Sequence, residues 1–520
     1  GHFPANDFGI QSSRSENLQH CLIRPALQLK AARMGAFSYH VLTYTFLNMT
    51  NHLLANAFDA QSFGENGKAL IDLLAQVFAE ADQRPVLPYK SPEEQHAYWK
   101  NDFTQRGALL DFFRDVIDKS ILYHHPHYMG HQTAVPALPA VLASVVIDFL
   151  SNGMGVYEVG MVGNTLEKVL CEYLSQKFGL GDSSGGFVTS GGTLATLTVL
   201  LTARAHYLSH RAADKSDSAS LCVITSDQSH YCVERAAITM GISRERIFKV
   251  PVDACYKMDT DALQTTYQQA VEAGLKVLCV VASAPSTSTG TYDDLVTIGT
   301  FCRSKNIWYH VDGAHGAAVV FSQKYKHLID GIELADSIVM DFHKLMLTPG
   351  ISTAVLLRNR ALAYETFRQE ADYLWEKQDH EWQHGGKSTY ECTKSMTVLK
   401  VYSLFKQFGD AIFEDFVDYQ YDLTRQFAQL IHEHPDFEIA HEPESNILCF
   451  RYKNAERLNE LNAQLRKQLI ESGEFYIVQT TIRGEIFLRT TLLNPRTTIA
   501  HIQSLIARLE QLAMELKLTL

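Results

Sequence analysis

The spacing of apolar residues changes period along the chain. Over the first 115 or so residues it is helical and interrupted. Leu70, Leu73, Leu74 and Val77 share one face of a helix predicted over 69–81, and Pro85, Pro88 and Pro92 interrupt the stretch after it. Helical spacing returns with Leu166, Val169, Leu170, Tyr173, Leu174 and Phe178. Short β-rich runs then alternate with helical stretches, at 221–225, 276–281, 307–311, 337–340 and 353–357. Apolar strands separated by helices predict an α/β fold with a largely parallel sheet covered on both faces. In such sheets ligands bind beyond the carboxyl ends of the strands. After about Val401 come a long helix, apolar runs at 446–452 and 485–490, and a terminal amphipathic helix from Ile499. The organisation expected is an N-terminal helical arm over 1–115, a large domain over 116–400 and a small α+β domain over 401–520. The apolar content of the arm suggests that it packs on something, such as a second subunit.

Composition narrows the classes. A chain of 520 residues with 46% apolar and 20% charged residues is that of an ordinary globular protein. A formal charge of −12 argues against a nucleic-acid partner, since phosphate binding needs a basic surface. The nine cysteines, Cys21 among them, show no CxxC spacing, so neither a zinc knuckle nor a disulfide framework is indicated, and free thiols in a reducing compartment are the simpler reading. No apolar run reaches membrane-spanning length, and Gly1-His2-Phe3-Pro4 does not read as a signal peptide. The location expected is the cytoplasm.

Four motifs carry candidate chemistry, three at the ends of predicted strands and one just before a predicted helix. Thr189-Ser190-Gly191-Gly192-Thr193 precedes a helical run, where small residues let backbone N–H groups and the helix dipole meet an anion. Thr225-Ser226-Asp227-Gln228-Ser229-His230-Tyr231 offers an imidazole able to stack on a flat ligand. His310-Val311-Asp312-Gly313-Ala314-His315-Gly316 offers a carboxylate for a protonated ring nitrogen, with small residues beside it. Asp336-Ser-Ile-Val-Met-Asp341-Phe-His343-Lys344 ends in a lysine, whose amine in a sequestered site can form an imine with an aldehyde. Taken singly, each has an ordinary explanation: a glycine-rich turn, a structural histidine, a capping aspartate, a surface lysine. Their order along one chain favours a shared chemistry.

This ordered set resembles the group II pyridoxal-phosphate decarboxylases of fold type I. The resemblance spans roughly 123–498, and Leu488-Arg-Thr-Thr-Leu-Leu-Asn494-Pro-Arg-Thr-Thr498 also looks like that family's C-terminal signature. It implies pyridoxal 5'-phosphate as cofactor, with Lys344, His230 and Asp312 as catalytic residues. Lys344 would hold the cofactor as an imine, Asp312 would pair with the pyridine nitrogen, and His230 would stack on the ring. Gly191, Gly192, Thr193, Ser286, Ala314 and His343 would complete the cofactor site. His124-His-Pro-His127-Tyr128-Met-Gly-His131-Gln132 resembles the family's substrate-side loop. A metal site on His127 and His131 is disfavoured, because Pro126 and Gly130 disrupt the helix that an i, i+4 pair needs. No metal is expected. A mobile loop is expected over 375–390, with Trp382, His384 and Gly385-Gly386 inside it and with His384 and Tyr390 as candidate proton donors. Arg489 is a further substrate-side candidate.

The pattern departs from relatives where Glu391-Cys-Thr-Lys394-Ser395 stands in place of an Arg-Arg pair. The His-Tyr-Met-Gly-His-Gln run and Ala371-Asp372-Tyr373-Leu374 look most like bacterial siderophore-pathway decarboxylases of diamino acids. The substrate expected is L-lysine, giving cadaverine, with a buried acid, Glu158 or Glu391, meeting the distal ammonium. The alternatives are 2,4-diaminobutyrate, ornithine, glutamate or an aromatic amino acid, and more remotely another fold type I reaction or a metal-binding scaffold. The family also implies a homodimer with the active site at the subunit interface.

Overall fold

The computed structural model describes residues 52–209, 220–369 and 380–517. Gly1-His2-Phe3-Pro4, Cys21, Ala371-Asp372-Tyr373-Leu374 and Trp375 lie outside the described residues. Residues 1–64 and 65–520 are separate compact units. Of the first, helix His52–Ala57 and the opening of helix Ala60–Ala79 are described. The latter helix starts nine residues before the predicted one, because its first turns carry Gly64 and Gly67 rather than an apolar stripe. Pro92 does not interrupt but begins a helix, Pro92–Asp102, where its missing N–H costs nothing. Ser91 and Glu94 close a reciprocal capping box there.

The large sheet has seven strands: β1 (Gly185–Thr189), β2 (Leu221–Ser226), β3 (Ile247–Val250), β4 (Lys276–Ser283), β5 (Trp308–Asp312), β6 (Ser337–Asp341) and β7 (Thr353–Leu357). Their order is β1-β7-β6-β5-β4-β2-β3, and only β7 runs against its neighbours. Side chains alternate between two cores. In β2, Cys222 and Ile224 join the core on one face, while Leu221 and Val223 join the other. That double burial is why the strands read as unbroken apolar runs. β1 escaped prediction because it opens on two glycines. A Cβ on Gly186 would come within 2.0 Å of the Val355 carbonyl oxygen in β7, so glycine is needed for the two strands to pair.

The C-terminal part forms an antiparallel sheet from β8 (Phe437–Ile439), β9 (Ile447–Tyr452), β10 (Val478–Ile482) and β11 (Glu485–Thr491), ordered β10-β11-β9-β8. Helices Ala411–Glu433, Leu458–Ser472 and Ile499–Lys517 cover it around Phe427, Phe450, Leu465, Leu488 and Leu509. Burying each such side chain is worth about 1.5–3 kcal/mol. Polar links tie this sheet to the large one. His315 Nε2 donates to Asn446 Oδ1 at 2.7 Å, and Arg489 Nη1 donates to the Thr287 carbonyl at 2.6 Å. Among the described residues no helix is long and apolar enough to cross a membrane, and every cysteine is free.

Candidate active site

Because β1, β2, β4, β5 and β6 point the same way, their carboxyl ends converge on one cavity of about 360 Å³. β1 delivers Ser190, Gly191, Gly192 and Thr193; β2 delivers His230; β4 delivers Ser283, Pro285 and Thr287; β5 delivers Asp312, Ala314 and His315; β6 delivers Asp341, His343 and Lys344. Gly191 adopts a φ of 115°, which lets the chain turn from β1 straight into helix Gly192–Ser209. The Ala195 N–H closes the first turn on the Gly191 carbonyl at 3.0 Å. The N–H groups of residues 192–194 therefore have no partner within the helix and form an anion cradle at the cavity wall.

Each reactive side chain is fixed from behind. Lys344 Nζ lies 3.1 Å from Asp341 Oδ2, and His343 Nε2 lies 3.6 Å from the same oxygen. Burial pushes the Asp341 carboxyl up, but Lys344, His343 and the Thr353 hydroxyl outweigh it and leave the group below its ordinary value. Asp312 Oδ1 accepts from the Ala314 N–H at 3.2 Å. His230 Nδ1 accepts from the Cys232 N–H at 3.3 Å, which leaves Nε2 to carry the proton of the neutral ring. Burial holds that ring below the usual histidine value, with Lys344 adding to the effect and Asp312 opposing it. His315 is pushed down to about 3, first by burial and then by Lys344, and its Nδ1 is buried without a hydrogen-bond partner among the described residues.

Every cofactor-site residue expected from the sequence lines this cavity except Ser286. Its hydroxyl turns into its own loop, 2.5 Å from Thr289 Oγ1. The substrate-side candidates are dispersed, and none lines the cavity. His127 stacks on Phe475 with centroids 3.9 Å apart, and Tyr128 is buried against Tyr476. Backbone bonds from Met129 N–H to the Tyr476 carbonyl and from Thr491 N–H to the Met129 carbonyl, both 2.9 Å, bind this loop to the small sheet. His131 is exposed near Tyr476, and the Gln132 side-chain nitrogen is buried without a partner among the described residues. Glu158 is exposed in the first turn of helix Tyr157–Lys177. His384 is buried, its Nδ1 accepting from the Tyr157 N–H at 3.2 Å, while Tyr390 is 69% exposed. Arg489 is buried one layer behind Thr287. Among the described residues no three His, Cys, Asp or Glu side chains gather as a metal site.

Sequence reasoning passed over Asp341 and His315. Both were inside motifs already singled out. Asp341 ends an apolar strand three residues before the lysine, a spacing at which a turn brings carboxylate and amine together.

The donor set suits a phosphorylated pyridine aldehyde: a helix N-terminus for the phosphate, a carboxylate for a ring nitrogen and a buried amine for the aldehyde. Residues 99–453 match the Pyridoxal-dependent decarboxylase conserved domain. The chain is 29% identical to an aromatic-L-amino-acid decarboxylase of Bacillus atrophaeus, covering 88% of this chain and 97% of that one. It is also 29% identical to an L-2,4-diaminobutyrate decarboxylase of Acinetobacter baumannii, covering 88% and 94%. Among solved structures it is similar, at 25% identity and a TM-score of 0.78, to the glutamate decarboxylase domain of diaminobutyrate-pyruvate transaminase and L-2,4-diaminobutyrate decarboxylase from Vibrio parahaemolyticus, covering 87% of this chain and 96% of that one.

Proposed function

Because this chain belongs to the pyridoxal-dependent decarboxylases, and is thus a pyridoxal 5'-phosphate-dependent amino acid carboxy-lyase, we propose that Lys344, Asp312 and His230 are its catalytic residues and an L-diamino acid its substrate. One observation carries the assignment of roles: an amine, a carboxylate and a neutral imidazole from three different strand ends line a single cavity. When bound, pyridoxal phosphate supplies an aldehyde that captures amines and a cationic ring that takes up the electrons left on Cα as CO2 departs. Lys344 tethers the aldehyde, and Asp341 orients its amine beforehand. Asp312 keeps the ring nitrogen protonated. His230, kept uncharged by burial, offers an aromatic face to the ring. The cradle at Gly191, Gly192 and Thr193, with His343 beside it, binds the phosphate.

The Acinetobacter and Vibrio relatives support a diamino acid as substrate. Within that class 2,4-diaminobutyrate matches the relatives. L-Lysine, giving cadaverine for siderophore biosynthesis, is the longer-chain candidate suggested by the motifs. An aromatic amino acid is the second reading, favoured by the equal identity to the Bacillus enzyme. CO2 and amine release by the holoenzyme across 2,4-diaminobutyrate, ornithine, lysine, glutamate and tyrosine separates them. A kcat/KM at least tenfold higher for a diamino acid than for tyrosine is expected, and the reverse order overturns the reading.

A homodimer belongs to the same proposal. Helix Leu138–Leu150 buries Ala140, Ala143 and Ile147 yet leaves Leu142, Val145, Val146 and Phe149 about half or more exposed. Met161 and Val162 on helix Tyr157–Lys177 are exposed as well. A helix apolar all round calls for a second covering surface, and another copy of the chain is the covering proposed. Light scattering should report twice the chain mass, and Phe149→Glu should lower both that mass and the activity. A fully active monomer overturns this part.

A further inference from the structure

Two of the charged side chains on the segment 380–397, Lys394 and Glu391, have opposite fates. Lys394 is locked. Its Nζ lies 2.9 and 2.8 Å from the two Glu167 carboxylate oxygens and donates to the Val188 carbonyl at 2.5 Å, with both side chains under a tenth exposed. The Met154 N–H donates to the Lys394 carbonyl at 2.9 Å, and the Gly155 N–H donates to Thr393 Oγ1 at 3.2 Å. This end of the segment is therefore anchored on helix Tyr157–Lys177 and on β1. Three residues earlier, Glu391 is left half-satisfied. The Ser190 hydroxyl donates to its Oε1. Its Oε2 is buried and has no hydrogen-bond partner among the described residues. The Glu391 backbone is itself fixed, its N–H donating to Thr389 Oγ1 at 3.1 Å.

Ser190 lines the cavity at the edge of the phosphate cradle, and its hydroxyl links this carboxylate to that wall. A buried carboxylate oxygen without a donor is costly, and an arriving cation removes the cost. Resting on the diamino-acid reading above, we infer that Glu391 is the specificity-determining residue that binds the distal ammonium of the substrate. Lys394 and Glu167 are positioning residues that hold the segment where Glu391 can do so. The unpaired Oε2 accepts from the ammonium while Ser190 keeps Oε1 occupied and the carboxylate oriented. An aromatic side chain gains nothing from this group.

The test uses the holoenzyme with Glu391→Gln and Glu391→Asp. Glu391→Gln is expected to raise KM for the preferred diamino acid at least tenfold with kcat within threefold, and to leave KM for the uncharged analogue norleucine or norvaline unmoved. Glu391→Asp should recover part of the loss. Calorimetric binding of the product diamine should weaken in parallel, while the visible absorbance of the bound cofactor stays unchanged. A wild type that prefers diamino acids, with Glu391→Gln leaving KM and diamine binding unmoved, overturns this inference and spares the diamino-acid reading. A wild type that prefers tyrosine overturns both. If Glu391→Gln loses the cofactor, Glu391→Asp, which keeps the charge and shortens its reach, takes its place. A change in diamine affinity of threefold or more then supports the inference, and no change overturns it.

Discussion

The carboxyl end of the large sheet and the proposed substrate rim, whose candidate residues are dispersed and do not line the cavity, are built differently. At the sheet end, polar groups arrive from adjacent strands and are held by neighbours a few residues away: Lys344 by Asp341, Asp312 by the Ala314 N–H, His230 by the Cys232 N–H. At the rim, groups arrive from 127–132, 158, 384–391 and 489, and their partners are hundreds of residues distant, as with His127 and Glu474, or Ser190 and Glu391. The first arrangement follows from strand ends alone. The second needs the whole chain packed, and on the dimer reading a second copy too.

The most direct challenge to this contrast is to empty the sheet end. Lys344→Ala should abolish the visible absorbance of the bound cofactor and lower kcat by about 10³-fold or more. Asp312→Asn should cost about 10²–10³-fold, the scale of losing one well-placed electrostatic group. Absorbance and CO2 release on the purified variants check both. Retained absorbance in Lys344→Ala would remove the amine from its assigned role.

Next in size is a buried contact beside the rim, as tightly built as anything at the sheet end. Lys394→Met leaves Glu167 charged and buried, and should destabilise the protein by about 3–5 kcal/mol. Lys394→Met with Glu167→Leu should recover most of that, because no charge is then stranded. Denaturant melts of the three proteins check this. Equal stability of the single and double variants would mean that the pair is solvated in solution.

The two regions also differ in how much of them the sequence could disclose. The five long strands were legible because burial on both faces makes them unbroken apolar runs, and the motifs ending them carried the cavity with them. β3 and β8 are short, and β1 begins with the glycines that its pairing with β7 requires. None of the three has an apolar run to read. The antiparallel turn of β7 left no mark, since its residues are buried on both faces like those of its parallel neighbours. For the rim, the motif around His127 and Tyr128 was visible, but not its use. Both rings pack on Phe475 and Tyr476, residues whose proximity is a product of the tertiary fold.

Acid should destabilise the fold through its buried histidines, those of the rim and those at the strand ends alike. Burial, with His127 adding to it, pulls His125 down to about 4, and burial lowers His127 and His131 as well. In the unfolded chain these groups titrate near 6.5. Above that pH they are neutral in both states and their contribution to stability is complete. As pH falls from 6.5 towards 4, the unfolded chain takes up protons that the folded one refuses, and stability is lost. Asp293 works in the opposite sense, because burial pushes it up to about 6 and its protonation below that value favours the folded state. The histidines outnumber it, so a net loss on the order of 2 kcal/mol is expected between pH 7 and pH 5, at about 1.4 kcal/mol per pKa unit. Thermal melts across that range check it, and His125→Gln should flatten the slope. A melting temperature that rises on acidification would refute the assignment.

The smallest effect separates two carboxylates that the sequence left equal. Glu158 and Glu391 were both candidates for the distal ammonium, but their surroundings differ. Glu158 is exposed in the first turn of helix Tyr157–Lys177, where its charge complements the helix dipole, a contribution of about 0.3–1 kcal/mol. Glu391 has an oxygen buried without a donor beside a cavity-lining serine. Glu158→Gln should therefore lower stability by no more than about 1 kcal/mol and leave KM for the diamino acid unchanged. Steady-state kinetics and a melt on this one variant suffice. A tenfold rise in KM would transfer the ammonium-binding role to Glu158, and since that group faces solvent on this chain, it would also mean that a second copy brings it to the cavity.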